Sequence, residues 1–309
     1  MKKFFFCAAA AIVALASCSK TQVVYNDAPQ EIGFKAVTGA ITKAVQTKNN
    51  FTQDMGVIAY QSGKTDVYFT NAQFEKKNDA TTWNGKTPQY WPIASSLDFF
   101  VYSPYQASSD VTPTVTPTNT AESKTLQVVV ADNSEKQDDY LYSTAFIIGK
   151  SKTSGNIKVN FNHALANVIV KFKGAEVITI SNAKLNGTYQ SGTYTVTYGN
   201  TAEVAWSNQG TETSLDLYNG QLNPQTYSES SWLVVPENDS NKVGNTISFE
   251  YHINGMEEDV TISKEIEIDA VWAAGTQYIY NVIINTNEIV FEVETVADWA
   301  GRTGENTTI

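Results

Sequence analysis

Short apolar runs and alternating apolar and polar residues recur along the chain from residue 31 onward. Runs of this length, rich in β-branched and aromatic residues, predict β-strands. No segment keeps a helical apolar stripe over three turns, and the best candidate, 164–172, is short and rich in β-branched residues. The pattern therefore predicts an all-β fold made of β-sandwiches. The clearest predicted strands span residues 32–37, 55–60, 97–102, 193–198, 248–253, 256–262, 265–268, 278–284 and 288–293.

Asn254 and Gly255 separate two of these strands. An Asn-Gly pair suits a two-residue hairpin turn, because both central positions of that turn need a positive φ. The sequence therefore predicts that 248–253 and 256–262 form an antiparallel hairpin.

The N-terminus carries a different pattern. Lys2 and Lys3 precede an apolar stretch at 4–15, which small residues and Cys18 follow. This order is typical of a secretory signal peptide, and the stretch is too short to span a bilayer. Because Cys18 directly follows Leu-Ala-Ser, the segment resembles the bacterial lipobox, which implies cleavage before Cys18 and acylation of that residue. An ordinary signal peptide with a cysteine nearby by chance is the alternative.

The organisation of the chain follows from these patterns. Residues 1–17 are the predicted signal peptide, and 18–30 are polar and predict a tether between lipid and body. Two places can divide the remainder: the proline-containing stretch 106–122 and the Gly/Ser/Lys stretch 149–156. We favour the second, because it splits the chain nearly in half, and predict β-sandwiches at 31–153 and 154–309. The first then becomes a long surface loop of the N-terminal domain.

The net charge and the cysteine content exclude several classes of function. Removal of 1–17 takes Lys2 and Lys3 from the 21 basic residues and none of the 32 acidic residues, which leaves a net charge of −13. An acidic surface argues against nucleic acid as a partner. Cys7 leaves with the signal peptide and Cys18 is the predicted lipid site, so no thiol remains for a disulfide, a nucleophile or a zinc site.

Candidate catalytic and metal-binding residues are few. His163 and His252 lack an activating motif, so a strand-end or rim position is the favoured interpretation of each. The acidic clusters at 138–139 and 257–259 lack the spacing of a calcium loop and predict solvated faces. The sequence therefore predicts no enzyme activity, no cofactor and no metal, although paired catalytic carboxylates cannot be judged from an acidic all-β chain.

The six tryptophans have two possible roles: they can anchor a hydrophobic core or form a platform on which a sugar stacks. Trp91 precedes a proline, and Trp232 and Trp272 lie within apolar runs. We predict that most are core anchors, while one or two at a rim remain candidates for ligand binding.

The order of several motifs gives the chain a family likeness. They are the lipobox, the runs 31–37 and 41–44, Tyr-Trp-Pro at 90–92, 97–104, 160–166, 231–236, 272–275 with 278–280, and the closing run 296–299. Each motif is loose alone, but the ordered set resembles the fimbrillin family of Bacteroidetes surface lipoproteins, the type V pilins and their relatives.

The resemblance implies two tandem transthyretin-like β-sandwiches and a place in cell-surface fimbriae. In the shaft subunits of that family, a protease cuts after a basic residue and the first strand is lost. The open groove then accepts a strand from the next subunit, which is β-strand addition. By matching position, the removable strand here carries Ile32, Phe34, Ala36 and Val37, and the cut follows Lys43.

This chain departs from the family pattern at the cleavage site. Its single arginine, Arg302, lies at the far end, so a strictly arginine-specific protease has no site in the N-terminal region. Either the protease accepts lysine, or the protein keeps its first strand and serves as an anchor or accessory subunit. An ordinary exposed loop lysine remains the alternative interpretation of Lys43.

We expect a lipid-anchored fimbrial component at the outer membrane or cell surface, which supports adhesion. Its expected partners are other pilus subunits, the membrane and a host or bacterial surface ligand. A non-polymerising surface lipoprotein that binds glycan or protein ligands through exposed aromatics is the alternative. The tail 300–309 is a poor donor strand, since its glycines and polar residues have little to bury, so a donor has to recruit 288–296 as well.

Overall fold

The computed structural model describes residues 28–37, 52–64, 66–76, 81–106, 122–129, 134, 137–198, 202–207, 209–237, 244–253, 261–285 and 288–297. Almost all regular structure in these ranges is β-strand, and one short 3₁₀ turn spans Lys152–Ser154. The all-β prediction is therefore confirmed. The segment 164–172, the best helical candidate of the sequence, lies mostly in a strand at Ala166–Gly174.

The first sheet contains eight strands. They are β1 (Gly33–Val37), β2 (Met55–Gln61), β3 (Val67–Lys76), β4 (Trp83–Gly85), β5 (Leu97–Ser103), β7 (Leu141–Ser143), β8 (Ile147–Lys150) and β9 (Ile157–His163). Their order is β2-β3-β4-β1-β9-β7-β5-β8, and β2 also pairs with β5. That last pairing closes seven of the strands into a ring, which we call the N-terminal ring.

The interior of the N-terminal ring is apolar and aromatic. The inward side chains are Ile32, Phe34, Met55, Val57, Ala59, Phe74, Trp83, Trp91, Leu97, Phe99, Val101, Leu141, Ile157, Val159 and Phe161. β9 shows the alternation expected of a strand with one face on a core, because its odd-numbered residues are buried and the residues between them mostly exposed. β2 and β5 are instead buried on both faces.

The second half of the chain forms two facing sheets, which we call the C-terminal sandwich. One sheet contains β16 (Ser228–Val234), β10 (Ala166–Gly174), β19 (Thr276–Ile284) and β20 (Ile289–Ala297) in that order. The other contains β14 (Glu212–Asp216), β11 (Ile178–Tyr189), β17 (Thr246–Ile253) and β18 (Ile262–Glu267), and β15 (Gly220–Gln221) also pairs with β11. Trp272, Phe172 and Tyr280 lie fully buried between the two sheets.

A third sheet joins the two halves of the chain. β6 (Glu122–Val129) pairs through its whole length with β12 (Ser191–Tyr198), and β12 pairs in turn with β13 (Ala202–Ser207). Tyr194 and Trp206 of this sheet share a core with Tyr60 and Tyr102 on the outer face of the N-terminal ring. The third sheet therefore covers β2 and β5 from outside, which explains why both faces of these strands are apolar.

The strand pairing bears on the predicted loop and the predicted domain boundary. Most of the predicted surface loop, residues 107–121, lies outside the described residues, and β6 follows it directly. β9 follows the predicted boundary after residue 153, yet it pairs with β1 and β7 in the N-terminal ring. How the chain divides into folding units stays a prediction; the pairing groups β9 with the strands that precede it.

The predicted hairpin is partly visible. β17 and β18 are antiparallel neighbours, with Tyr251 opposite Ile262 and Thr246 opposite Glu267. The Asn254-Gly255 turn and most of the predicted strand 256–262 lie outside the described residues. In the described part of the chain, no helix is long and apolar enough to cross a membrane.

Tyr194 and Tyr198, on the same face of β12, differ in how their hydroxyls are satisfied. Tyr194 is fully buried and its hydroxyl has no hydrogen-bond partner, while Tyr198 bonds the carbonyl and hydroxyl of Ser143, both at 2.9 Å. Burial raises the pKa of Tyr194 well above its usual value, and four neighbouring tyrosines raise it further. The Tyr194 hydroxyl therefore stays neutral and unsatisfied in the folded protein.

This difference gives a testable pair of substitutions. We expect Tyr194→Phe to leave the free energy of unfolding unchanged or to raise it by up to about 1–3 kcal/mol, because it removes an unsatisfied buried hydroxyl. Tyr198→Phe should lower the free energy of unfolding by about 1 kcal/mol, because it removes a buried hydroxyl that is hydrogen-bonded. Guanidinium unfolding of both variants measures the effects. An equal loss in the two variants would show that the Tyr194 hydroxyl has a partner.

Candidate functional site: the seat of the first strand

β1 closes the N-terminal ring between two strands that do not otherwise meet. It runs parallel to β9, with Phe34 opposite Ile157 and Val37 opposite Asn160. On its other side it pairs antiparallel with β4. The residues before β1 continue the pairing, because the Ile32 amide donates to the Gln89 carbonyl at 2.8 Å. β1 is thus an interior strand with ladder bonds on both sides.

The predicted removable strand 32–37 corresponds to β1 and the residue before it. Ile32 and Phe34 are fully buried and point into the ring, Lys35 is exposed and Ala36 is half-buried. The Phe34 ring makes edge-to-face contacts with Phe74 at 4.9 Å and Phe99 at 5.4 Å between ring centroids. Phe34 therefore fills the centre of an aromatic core, which is the side-chain contribution that holds β1 in place.

Gly33 marks a close approach on the outer side of β1. A Cβ atom at this position would lie 2.5 Å from Oδ1 of Asn156. A larger residue here requires the Asn156 side chain to move. The gap that β1 fills between β4 and β9, which we call its seat, therefore favours an apolar residue at position 32, a small residue at 33 and an aromatic residue at 34.

The two predicted modification sites lie outside the described residues. Residues 1–27 include Cys18, and residues 38–51 include Lys43. Acylation at Cys18 and cleavage after Lys43 therefore stay predictions. The described residues on either side show only that β1 ends at Val37 and that β2 begins at Met55.

β20 resembles β1 in sequence but not in its surroundings. The run Ile-Val-Phe-Glu-Val at 289–293 matches Ile-Gly-Phe-Lys-Ala at 32–36 in the order of apolar, aromatic and charged residues. β20 pairs with β19 alone, so in the described structure it is an edge strand. Phe291 stacks on Tyr280 at 5.7 Å. Ile289, Phe291 and Val293 pack against the core of the C-terminal sandwich, but burial does not alternate strictly along β20, because Val290 and Glu294 are half-buried as well.

One predicted solvated cluster is wrong in part. Asp138 is exposed, but Asp139 is buried and lies 2.8 Å from Nδ1 of His163. The buried carboxylate is tolerated because the imidazole satisfies it, a long-range pairing that local spacing does not reveal. His163 ends β9, as predicted for a strand-end histidine, and His252 is half-buried in β17. The pair joins the β7 side of the ring to the end of β9 and is a structural contact.

The aromatic residues give little support for a sugar platform in the described part of the chain. Trp83, Trp91, Trp206, Trp232 and Trp272 are all buried, which confirms most tryptophans as core anchors. Trp299 lies outside the described residues. The exposed aromatics there are Tyr68, Tyr90 and Tyr227.

An open polar groove lies on the outer face of β17 and β18. Glu250 and Glu265 line it, but each accepts a local hydrogen bond at 2.8 Å, from Asn182 and Thr246 respectively. Both carboxylates are therefore occupied by their own sheet. Among the described residues, no group of three or more His, Cys, Asp or Glu side chains is placed to hold a metal ion.

Comparison with known proteins gives consistent matches over most of the chain. A family model described as fimbrillin-like matches residues 42–299. Fim1C of Bacteroides uniformis, which carries the description of a fimbrium subunit, is 25% identical over 326 residues. That alignment covers 98% of this chain and 97% of Fim1C.

Solved structures share the fold at lower identity. A protein of Bacteroides uniformis described as a cell adhesion protein is 17% identical, with a TM-score of 0.56 over 87% of this chain and 99% of that one. A fimbrial protein of Bacteroides vulgatus is 16% identical, with a TM-score of 0.55 over 86% of this chain and 99% of that one. At these identities the likeness shows a common fold.

Proposed function

Because the chain belongs to the fimbrillin-like family, we propose that it is a component of cell-surface fimbriae that assembles by exchange of a strand between subunits. The observation that carries the proposal is the position of β1, which closes the N-terminal ring between β4 and β9. Its role is structural and supports adhesion, and no catalytic step belongs to it.

Loss of β1 would create a seat for another strand. β4 and β9 would each present unpaired backbone groups, and the core around Phe74 and Phe99 would lose its central ring. Neighbouring strands lie about 4.8 Å apart. Removal of β1 therefore leaves a gap one strand wide between β4 and β9, which is too wide for the two strands to pair directly. A strand from a second subunit satisfies both the backbone groups and the aromatic core.

β20 of a second copy is the donor that fits this seat best. In register with β1, its Ile289 and Phe291 take the places of Ile32 and Phe34, and Glu292 takes the exposed place of Lys35. Val290 would stand at the position of Gly33, which requires Asn156 to move. As an edge strand in the described structure, β20 has to break only one ladder to leave its own sheet.

Release of β1 requires a cut in the segment between β1 and β2. Two lysines, Lys43 and Lys48, lie in that segment, the single arginine of the chain, Arg302, does not, and Lys43 is the one that matches the family's cleavage position. We therefore place the cut after Lys43, by a protease that accepts lysine. If β1 is retained instead, the same fold serves as an anchor or accessory subunit.

Cleavage of the purified protein tests the assembly proposal. Treatment with a lysine-specific protease should cut after Lys43, release β1 and convert monomers into a series of multimers. Size-exclusion chromatography measures this conversion. Mass spectrometry identifies the cut site. The matched control is the double variant Lys43→Gln/Lys48→Gln, which removes both lysines between β1 and β2 and should stay monomeric. A protein that is cut after Lys43 and loses β1, yet remains a stable monomer, would contradict the shaft-subunit role.

The lipid anchor is a separate part of the proposal. Acylation of Cys18 places the body at the outer membrane or cell surface, because two or more acyl chains give stable membrane attachment. Cys18→Ala should move the protein from the membrane fraction to the soluble fraction after cell fractionation, with Cys7→Ala as the control that stays bound. Unchanged membrane partitioning of Cys18→Ala would refute the anchor.

A further inference from the structure

The loops at one end of the N-terminal ring form a distinct surface, which we call the N-terminal pole. It comprises residues 28–32, 62–68, 86–98 and 147–156, of which the structure describes all except residue 65. The register of the ring places them together, because β1 and β9 begin here and the β2–β3 and β8–β9 connections turn here. The chain enters the described structure at this pole.

Hydrogen bonds tie the loops of the pole to one another. The Tyr68 hydroxyl donates to the Tyr90 carbonyl at 2.9 Å, and the Ser62 amide donates to the Ser96 carbonyl at 2.9 Å. Asp98 accepts from the Ser62 hydroxyl at 2.5 Å and from the Gly149 amide at 2.7 Å. The pole is therefore one connected surface and not a set of independent loops.

Exposed apolar side chains concentrate at the N-terminal pole. Of the seven large hydrophobic residues that are exposed in the described part of the chain, five belong to it. They are Val67, Tyr68, Tyr90, Ile93 and Ile148. Ile93 is 87% exposed and Ile148 67%, whereas the two at other places, Val177 and Tyr227, are 43% and 40% exposed.

The pole also differs in charge from the rest of the protein. Its described residues hold four lysines and three carboxylates, Lys64, Lys86, Lys150 and Lys152 against Glu31, Asp66 and Asp98. The chain after residue 17 carries a net charge of −13. The pole therefore carries no net negative charge, whereas the rest of the protein carries a net charge that an anionic membrane surface would repel.

The C-terminal sandwich is attached at the opposite pole. β9 runs parallel to β1 and ends at His163, and only Ala164 and Leu165 separate it from β10. Both linking residues are fully buried, and the Ala164 carbonyl accepts from the Trp206 indole at 2.9 Å. The N-terminal pole and the second sandwich thus lie at opposite ends of the ring.

From these observations we infer that the N-terminal pole rests on the lipid surface that holds Cys18, with its apolar side chains in the headgroup region. The inference rests on the proposed anchor at Cys18. Ten residues, 18–27, lie between the anchor and the described chain, and fully extended they reach at most about 36 Å. Tyrosine and isoleucine suit this position, because an apolar body enters the interface while the tyrosine hydroxyl stays hydrated.

A fluorescent probe at residue 93 tests the inference on the full mature protein. Ile93→Cys places the only free thiol at the pole, since Cys18 is acylated, and the exposure of Ile93 makes the substitution harmless to the fold. The acylated protein is labelled with an environment-sensitive dye and reconstituted in phosphatidylethanolamine–phosphatidylglycerol vesicles that carry a spin-labelled quencher lipid. Val177→Cys, in the turn before β11, is the matched control at the far end of the second sandwich.

The inference predicts a shift of emission to shorter wavelength and a loss of intensity at position 93, with neither at position 177. Equal signals at the two positions in vesicle-bound protein would overturn it and leave the anchor intact. A shift at 93 that needs no lipid and grows with protein concentration would also overturn it, in favour of a contact between copies. Failure of the anchor itself is distinguished by mass spectrometry of the Cys18 peptide: a peptide without acyl chains overturns both proposals.

Discussion

Replacing Phe34 by alanine is expected to lower the free energy of unfolding by about 3–5 kcal/mol, which is the usual cost of removing a buried phenylalanine. Phe34 is fully buried and contacts Phe74 and Phe99 edge to face. The surrounding strands belong to a closed ring, so they cannot move inward easily to fill the cavity. Guanidinium unfolding followed by tryptophan fluorescence measures the loss, because Trp83 and Trp91 lie in the same core.

Lys35→Ala is the matched control for this substitution. Lys35 is the next residue of β1 and is exposed, so its removal should change the free energy of unfolding by less than about 0.5 kcal/mol. A loss in Phe34→Ala as small as that in Lys35→Ala would mean that backbone pairing alone, and not the aromatic core, holds β1. The same comparison applies to assembly, since Phe34→Ala should release β1 more readily after a cut at residue 43.

Replacing Gly56 by alanine should cost about 3 kcal/mol, at the upper end of the range for overpacking a core. A Cβ atom at residue 56 would lie 2.1 Å from Cζ of Tyr102, far inside van der Waals contact. Tyr102 cannot move without loss, because it is buried and its hydroxyl donates to Oδ1 of Asn71 at 2.5 Å. Tyr102 also belongs to the core between the N-terminal ring and the third sheet, so the expected effect is a loss of contact between the two halves.

Gly244→Ala separates this steric effect from the general effect of replacing a glycine. An added Cβ at residue 244 meets no atom within 4 Å, and its φ is not in the left-handed region. Thermal unfolding of the two variants should show a large fall in Tm for Gly56→Ala and almost none for Gly244→Ala. Similar falls would point to backbone conformation as the cause.

The sequence predicted the parts of the fold that depend on local pattern. Alternation predicted the strand at 193–198, which lies within β12, and the short apolar run at 97–102 lies within β5. The segment around Phe34 was identified as the first strand, and the structure places it in the ring with both its apolar side chains inward. These features follow from residues that are neighbours in the sequence, where periodicity is informative.

The features that the sequence did not reveal depend on distant pairings. β6 was not predicted, and nothing in its sequence indicates that it pairs with β12, more than sixty residues later. Asp139 was predicted on a solvated face, because its partner His163 is 24 positions away. The aromatic outer faces of β2 and β5 likewise make sense only once the third sheet covers them. Local propensity carries no information about which strand or side chain will arrive from elsewhere.

The direction in which the chain enters β1 also determines how a tethered subunit bears mechanical load. Residues 28–32 continue straight into β1, and the second sandwich leaves from the opposite pole. Tension between a membrane tether and the distal end of the molecule therefore acts along the axis of β1. The ladder bonds to β4 and β9 lie across that axis, so they are sheared together and do not unzip one by one. An uncut subunit should resist pulling until the whole strand slips. A cut after β1 leaves these ladder bonds as the connection between the tether and the body, so the body separates once β1 slips out.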